Sequence, residues 1–313
     1  MAQSSRTCRI RVGPSGWSYP DWQGVVYPQA AGSKFDALHY LSDYFDTLEI
    51  NSSFYRTPAP RTAQSWARRV AHRPDFRFAF KLWQRFTHEL APARDRPAGR
   101  LNPADVDPVL AALGPLAEAD RLGCVLVQFP WSFRHDPAAL DWLEALNRVF
   151  GEHPLAVELR HRSWDDESAR QRLRELGINY CNIDQPVLNQ CLGPSSHVTG
   201  PVGYVRLHGR RYDNWFADNV QPSARYDYLY REEELAEWLS RIENIASQTE
   251  SLYVFANNHY RGQGPANALQ LRAMIEQGKL DVPPDLMQHF PFLQGLATAP
   301  RPTKSGQQTL FDV

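Results

Sequence analysis

The stretch Phe45-Asp46-Thr47-Leu48-Glu49-Ile50-Asn51-Ser52-Ser53-Phe54-Tyr55 decides the fold. Leu48 and Ile50 flank Glu49, so a strand here has one apolar face and one face that carries a carboxylate. The segment therefore predicts a strand that delivers an acidic side chain to its carboxyl end. Seven more segments show this design, a short strand that closes on a polar residue: 9–13, 76–82, 124–129, 155–160, 179–184, 204–208 and 252–257.

Helical segments separate these strands. Leu38, Leu41 and Phe45 are spaced for the buried side of one helix, and residues 140–150 carry a similar stripe. Strands that alternate with helices indicate parallel pairing, and eight such units in about 280 residues fit an α/β fold, a single closed (β/α)8 barrel of the TIM type. The alternative is a doubly wound open sheet, but Gly13-Pro14-Ser15-Gly16-Trp17 lacks the Gly-x-Gly-x-x-Gly pattern of that fold. Between strands six and seven, the Gly, Pro and Ser residues of 185–202 predict an irregular or missing helix.

Composition limits the class of protein. We expect one barrel domain over residues 1–298 and a flexible tail over 299–313. A formal net charge of -1 excludes a generally basic surface, so any contact with nucleic acid has to be local. The first residues lack the apolar core of a secretion signal and no run is long enough to cross a bilayer, which predicts a cytoplasmic protein without a membrane partner. The four cysteines have no paired spacing, so we expect no disulfide framework.

Polar residues at the strand ends form the candidate site. In a closed barrel, the last inward-facing residue of each strand lies at the C-terminal mouth. Keeping the larger apolar side chains outside places the following residues inside: Gly13, Glu49, Asn51, Lys81, Gln128, Glu158, Arg160, Asp184, Arg206, His208 and Asn257. Burying such groups is costly unless they are paired or face a wet pocket, so they form either a structural charge network or a site.

Three carboxylates, Glu49, Glu158 and Asp184, are candidate catalytic acids or bases, because a pair held in unlike environments can have pKa values that are pushed apart. His208 is the fourth candidate catalytic residue. The same oxygen ligands with His208 or His259 would also suit a divalent cation. No His-x-x-x-His or comparable spacing supports a metal, so we assign no metal ligand and no certain cofactor, and a divalent metal stays an alternative.

An excess of arginine near the strand ends predicts an anionic substrate, because the guanidinium group binds phosphate or carboxylate with two parallel hydrogen bonds. The loops after strands seven and eight also lie where this fold usually binds phosphate. Aromatic residues just past the strand ends would stack on a base or a sugar. The predicted partner is an anionic small molecule or a nucleic acid, and solvated arginines on long loops are the alternative. The candidate substrate-binding residues are Trp17, Asn51, Tyr55, Lys81, Gln128, Arg160, Trp164, Arg206, Arg210, Asn257 and Asn258.

Several of these motifs are found together in one family. They are Gly13-Pro14-Ser15-Gly16-Trp17, Glu49 to Tyr55, Phe80-Lys81, Gln128-Phe129-Pro130, Val157 to His161 with Ser163-Trp164, Arg206-Leu207-His208-Gly209 and Asn257-Asn258. Taken jointly, over about residues 9 to 280, they resemble the YecE-like family, also called domain of unknown function 72. The resemblance implies a TIM-type barrel and no particular reaction. Pro14 departs from the usual opening motif and stiffens that turn.

The last residues carry a separate motif. Gln307-Gln308-Thr309-Leu310-Phe311 resembles the peptide by which bacterial replication and repair proteins dock on the sliding clamp. Leu310 and Phe311 would enter an apolar pocket while Gln307 fixes the register, and an inert tail is the alternative.

Three hypotheses about function follow. The first is an enzyme that acts on a phosphate-bearing substrate, either a small molecule or a nucleic acid, by carboxylate acid–base chemistry at the barrel mouth. It would be a phosphodiesterase or nuclease-like hydrolase recruited to the clamp. The second is an isomerase or hydrolase of a sugar or small metabolite. The third is a non-catalytic protein that binds the clamp and keeps its interior charges for structure.

Overall fold

The computed structural model describes residues 8–32, 34–188, 190–211 and 226–298. The strands are β1 (Arg9–Pro14), β2 (Thr47–Ile50), β3 (Arg77–Lys81), β4 (Leu122–Gln128), β5 (Leu155–Glu158), β6 (Asn179–Asp184), β7 (Val202–Leu207) and β8 (Ser251–Ala256). The α-helices are α1 (Ala37–Ser42), α2 (Ser52–Tyr55), α3 (Pro60–Arg69), α4 (Pro103–Glu118), α5 (Pro137–Phe150), α6 (Glu167–Leu176), α7 (Glu232–Ala246), α8 (Gln263–Glu276) and α9 (Pro284–His289). The predicted tail, with Gln307, Leu310 and Phe311, lies outside the described residues.

The eight strands form one parallel sheet in the order β1-β8-β7-β6-β5-β4-β3-β2. Its two edges meet, because Ser15 forms a parallel bridge to Glu49 and the Gly16 amide donates to the Glu49 carbonyl at 2.8 Å. The backbones are close there: a Cβ atom on Gly13 would lie 2.1 Å from the Thr47 carbonyl oxygen. The sheet is therefore a nearly closed barrel, and the predicted (β/α)8 fold is confirmed.

Register determines which side chains face the interior. Residues paired across parallel strands point to the same side of the sheet. Glu49 pairs with Ala79, Gln128 with Glu158, and Arg206 with Phe255. The apolar residues between them, such as Leu48 and Val127, are buried outside the barrel against the helices. Polar residues therefore gather inside, at the carboxyl ends of the strands.

The helices begin where the sequence supplies an acceptor for their first amide groups. The side chains of Asp36, Asp136 and Asp166 accept hydrogen bonds from the first turns of α1, α5 and α6. Pro137 is the first residue of α5, a position that needs no amide hydrogen. No helix among the described residues has the length and apolar character to span a bilayer.

The connection from β6 to β7 contains no helix in its described residues, 185–188 and 190–201. The side chain of Asn182 takes the place of helical hydrogen bonds. Its Nδ2 donates to the His197 carbonyl at 2.9 Å, and its Oδ1 accepts from Ser195 Oγ and the His197 amide, both at 2.8 Å. The predicted irregularity after strand six is thus confirmed, and one amide side chain holds it in place.

Candidate functional site

A buried ion network lies at the centre of the barrel, below its mouth. The Arg206 guanidinium binds both oxygens of Glu49 through Nε at 2.9 Å and Nη2 at 2.7 Å. Its Nη1 donates to Glu158 Oε2 at 2.5 Å. Tyr204 also donates its hydroxyl to Glu49 Oε2 at 2.8 Å. Arg206 therefore joins carboxylates from two strands that are not neighbours, β2 and β5, and all three charged side chains are almost fully excluded from water.

Glu158 has further partners on its other oxygen. Arg160 donates to Oε1 from Nε at 2.8 Å and from Nη2 at 2.6 Å, and His208 Nε2 lies 3.2 Å from the same oxygen. The Nδ2 of Asn257 lies 2.9 Å from His208 Nδ1. Because an amide nitrogen is a donor, Nδ1 is the acceptor and Nε2 carries the proton that faces Glu158.

These contacts set the ionisation of the network. Burial alone would raise the pKa of Glu158, but Arg206, Arg160 and His208 together hold it well below its ordinary value. Burial lowers the pKa of His208 to about 4, and the adjacent Glu158 only partly offsets this. At neutral pH, Glu158 is ionised and His208 is neutral, so neither group titrates near the pH at which an acid–base catalyst works best.

Two cavities open above the network. The larger has a volume of about 580 Å³ and is lined by Gly16, Trp17, Ser18, Tyr19, Asn51, Ser52, Tyr55, Trp66, Lys81, Tyr226, Asn257 and His259. The second has a volume of about 310 Å³ and is lined by Phe54, Tyr55, Lys81, His88, Gln128, Pro130, Trp131, Arg160, Gln185 and Tyr226. They share Tyr55, Lys81 and Tyr226, so they are two halves of one mouth. Among the described residues that line them, none is acidic.

Lys81 stands between the two halves of the mouth. Its side chain is 9% exposed and its ammonium nitrogen lies 4.1 Å from the centre of the Phe54 ring. Burial, with Arg206 next in effect, lowers the pKa of Lys81 to about 7. The Phe54 ring favours the ammonium by only ~1 kcal/mol, which does not offset the burial. Lys81 is therefore a lysine that exists in both protonation states at neutral pH.

Short helical segments position the walls of the mouth. Phe54 lies on α2, directly after β2, and Ser53 on the same helix donates to the Lys81 carbonyl at 2.6 Å. His88 lies on a π-helix, Arg85–Glu89, a rare geometry that occurs often at functional sites. Burial lowers the pKa of His88 to about 4, so its imidazole is neutral at neutral pH.

Sequence reasoning missed several lining residues. Tyr19 stacks on His259 with ring centres 4.4 Å apart, and Tyr226 lies against the same imidazole at 5.0 Å. Trp66 meets the predicted Trp17 edge to face at 5.5 Å. Trp66 and Tyr226 were not predicted because each lies on or before a helix rather than at a strand end. Their aromatic character close to a loop was the only available signal.

The structure brings together most of the predicted binding residues. Trp17, Asn51, Tyr55, Lys81, Gln128, Arg160 and Asn257 line the mouth. Glu49, Glu158, Arg206 and His208 lie beneath it.

Asp184 is a correction to the predicted interior set. On β6, it is Ile183 that pairs with the inward-facing Arg206, so Asp184 points outwards. It accepts from Trp238 Nε1 on α7 at 2.7 Å and from Arg210 Nε at 3.0 Å. Arg210 also contacts Glu237 at 3.0 Å. Asp184 and Arg210 are thus paired between the barrel and α7, away from the two cavities.

Two more predicted binding residues, Trp164 and Asn258, do not line the cavities and make structural contacts instead. Trp164 is fully buried, donates to the Phe133 carbonyl at 2.9 Å and stacks on the Phe133 ring. Asn258 donates to the Tyr228 carbonyl at 2.8 Å and to Asn267 Oδ1 at 2.9 Å. Both side chains hold loops together and line neither cavity.

In the described part of the chain, no group of potential metal ligands lies at the mouth. Three side chains that offer ligand atoms within 4.8 Å of one another, His39, Asp43 and His72, lie on the surface. They precede β2 and β3, so they are at the opposite end of the barrel from the cavities.

A closed barrel of eight parallel strands, with its polar residues at the carboxyl ends, is a TIM-type α/β barrel. The chain belongs to the family described as Protein of unknown function DUF72, whose model matches residues 11–289, and the predicted family is thereby confirmed. It is 24% identical to UPF0759 protein YunF of Bacillus subtilis over 277 residues, which cover 85% of this chain and 95% of that protein. It is 27% identical to UPF0759 protein YecE of Escherichia coli K12 over 184 residues, which cover 56% of this chain and 59% of that protein.

Solved structures show the same fold. A DUF72 family protein of Thermotoga maritima is 34% identical and superposes with a TM-score of 0.73, over 86% of this chain and 99% of that one. A DUF72 family protein of Enterococcus faecalis V583 is 23% identical with a TM-score of 0.73, over 88% and 98% of the two chains.

Proposed function

We propose that the chain is an enzyme that binds an anionic, phosphate-bearing small molecule at the barrel mouth. The observation that carries this proposal is the charge of the cavity walls. Lys81 and Arg160 face the cavities, whereas the carboxylates of Glu49 and Glu158 lie beneath and are occupied by Arg206. Among the described residues that line the mouth, an anion therefore meets cations and amide groups and no carboxylate.

The hypothesis of carboxylate acid–base chemistry is modified in this proposal. Glu158 is held in its ionised form by three donors, so its role is to fix Arg160 and Arg206. Lys81, whose pKa is about 7, is the group on the cavity wall that gives up or accepts a proton near neutral pH. We therefore assign proton transfer to Lys81 and anion binding to Arg160.

The proposal is tested by titrating the protein with inorganic phosphate at low salt and measuring the heat of binding by isothermal calorimetry. We expect saturable binding that weakens about tenfold in Arg160→Met, a loss of ~1.4 kcal/mol for one cation. Glu158 keeps Arg206 and His208 in this variant, so the barrel should remain folded. Arg9→Met is the matched control, because Arg9 pairs with Asp75 at the amino end of β1, far from the mouth. Absence of binding at about 50 mM phosphate would contradict the proposal.

A sugar or small-metabolite isomerase or hydrolase is the second candidate function. The larger cavity supports it, because Trp17, Tyr55 and Trp66 supply flat aromatic faces on which a sugar ring can pack. A sugar phosphate satisfies both proposals. A neutral sugar that binds as tightly to Arg160→Met as to the unchanged protein would favour the second alone.

The hypothesis that the substrate is a nucleic acid depends on the predicted tail, residues 299–313. Arg210, a candidate substrate-binding residue, is paired with Asp184, and its neighbour Arg211 is paired with Asp227. Recruitment to a sliding clamp stays a prediction, as does a non-catalytic role at the clamp. Removal of residues 306–313 tests both, since clamp capture in a pull-down should depend on Leu310 and Phe311.

A further inference from the structure

We propose that the Lys81 amine is a covalent catalyst that forms an imine with the carbonyl group of an anionic aldehyde or ketone bound at the mouth. This inference rests on the proposed function and narrows its substrate class to anions that also carry a carbonyl. The site has the three parts that the reaction needs: an amine that makes no ion pair with any described residue, a cavity on each side of it, and a separate cation for the anionic group.

The amine is held in place without a carboxylate partner. Within the described residues, Lys81 Nζ has the Phe54 ring at 4.1 Å and no ion pair within 4.0 Å. Its backbone is fixed by the Ser53 hydroxyl and by the pairing of Leu82 with Leu126 at 2.9 Å. A lysine that served only to balance charge would contact Glu49 or Glu158, but Arg206 and Arg160 already occupy both.

The choice of lysine is itself informative. The chain contains only four lysines, Lys34, Lys81, Lys279 and Lys304, against thirty arginines. Arginine stays charged throughout the physiological range, whereas a buried lysine can lose its proton and become a nucleophile. Lys34 and Lys279 are exposed, so Lys81 is the one buried lysine among the described residues.

The proposed step balances without an added oxidant or reductant. The lone pair of the neutral amine attacks the carbonyl carbon, and the electron pair of the C=O bond moves to oxygen. A proton passes from nitrogen to that oxygen to give a carbinolamine. The hydroxyl group then takes up a proton from solvent and leaves as water, while the nitrogen lone pair forms the C=N bond and a protonated imine remains on Nζ. The phosphate or carboxylate of the substrate meanwhile remains on the Arg160 side of the mouth.

Pyridoxal 5′-phosphate is a suitable probe, because it carries an aldehyde and a phosphate and its imine absorbs visible light. The protein is incubated with the probe, reduced with borohydride, digested and mapped by mass spectrometry. We expect Lys81 to be labelled at least about tenfold faster than Lys34 or Lys279 at neutral pH, because exposed lysines are protonated there. The rate at Lys81 should rise with pH and level off above about 7, whereas the rates at the exposed lysines continue to rise.

Two variants control for folding. Lys81→Met removes a buried amine that pairs with no acidic group in the described part of the chain, so we expect it to fold with unchanged or higher thermal stability while labelling is lost. Lys81→Arg keeps a positive charge and should bind phosphate without forming an imine. Labelling of Lys81 no faster than of Lys34 would overturn the inference, even with phosphate binding intact. Fast labelling of Lys81 that inorganic phosphate does not slow would uphold the amine chemistry and count against the proposed anion site.

Discussion

Replacing Arg206 with methionine is the sharpest test of the buried network. The substitution removes three hydrogen bonds, two to Glu49 and one to Glu158, and fills the space with an apolar side chain. Glu158 keeps Arg160 and His208, but within the described structure Glu49 keeps only the Tyr204 hydroxyl. The cost therefore falls on Glu49, which becomes a buried carboxylate without a cation.

Removing one partner of a buried ion pair leaves an uncompensated charge in an apolar environment. The variant should therefore lose ~3–5 kcal/mol of unfolding free energy at neutral pH.

The pH dependence of the unchanged protein comes from Glu158. The pKa of Glu158 is lowered in the folded state, so its contribution to stability is present above the unfolded value near 4.5 and is lost as the pH falls below that value. Urea titrations followed by tryptophan fluorescence and circular dichroism measure the loss in the variant at neutral pH, and the same titrations below about pH 4.5 measure the contribution of Glu158.

A second substitution separates charge from packing. The double variant Glu49→Gln with Arg206→Met has no buried carboxylate at position 49, so it should recover most of the lost stability. Arg9→Met, at an exposed ion pair, should leave the unfolding free energy unchanged. A loss below ~1 kcal/mol in Arg206→Met, or no recovery in the double variant, would refute the view that this arginine compensates two buried carboxylates.

Further outcomes follow from the same structure. Gly13→Ala should destabilise by ~3 kcal/mol in a urea titration, because the new methyl group would meet the Thr47 carbonyl, whereas Gly114→Ala, with open space around its Cβ, should stabilise α4 by ~0.5–1 kcal/mol. Asp184→Asn should lower stability by ~1–3 kcal/mol and leave phosphate affinity unchanged, since its contacts lie outside the mouth. Sulfate affinity measured by calorimetry should fall as the pH rises through about 7, because Lys81 then loses its charge, and Lys81→Met should remove this dependence.

The fold was predictable because alternation along each strand and helical stripes between strands are local signals that the barrel obeys. Strand parity also placed Glu49, Gln128, Glu158 and Arg206 correctly, since apolar residues on those strands pack against helices. The same rule failed for Asp184. The described residues between β6 and β7 form no helix. The outer face of β6 therefore carries Asn182, which bonds the loop, and the apolar Ile183 faces inwards.

The chemistry of the mouth was less accessible from the sequence. Arg160 lies only two residues from Glu158, but nothing local to Lys81 indicates that arginines would occupy both glutamates and leave this lysine without an ion pair among the described residues. Whether a charged side chain is paired depends on long-range contacts, such as the one between Arg206 and Glu49, two residues that are 157 positions apart in the sequence. The placement of Phe54 over Lys81 depends on a four-residue helix after β2, which is too short to have a periodic pattern.

The separation of Glu49 from Arg206 also bears on the order of events during synthesis. At five to twenty residues per second, roughly 8 to 30 s pass between translation of the acid and translation of its partner. During that interval the carboxylate has no cation to accompany it into an apolar environment, so it remains hydrated. We therefore expect the interior of the barrel to exclude water only after β7 has been synthesised.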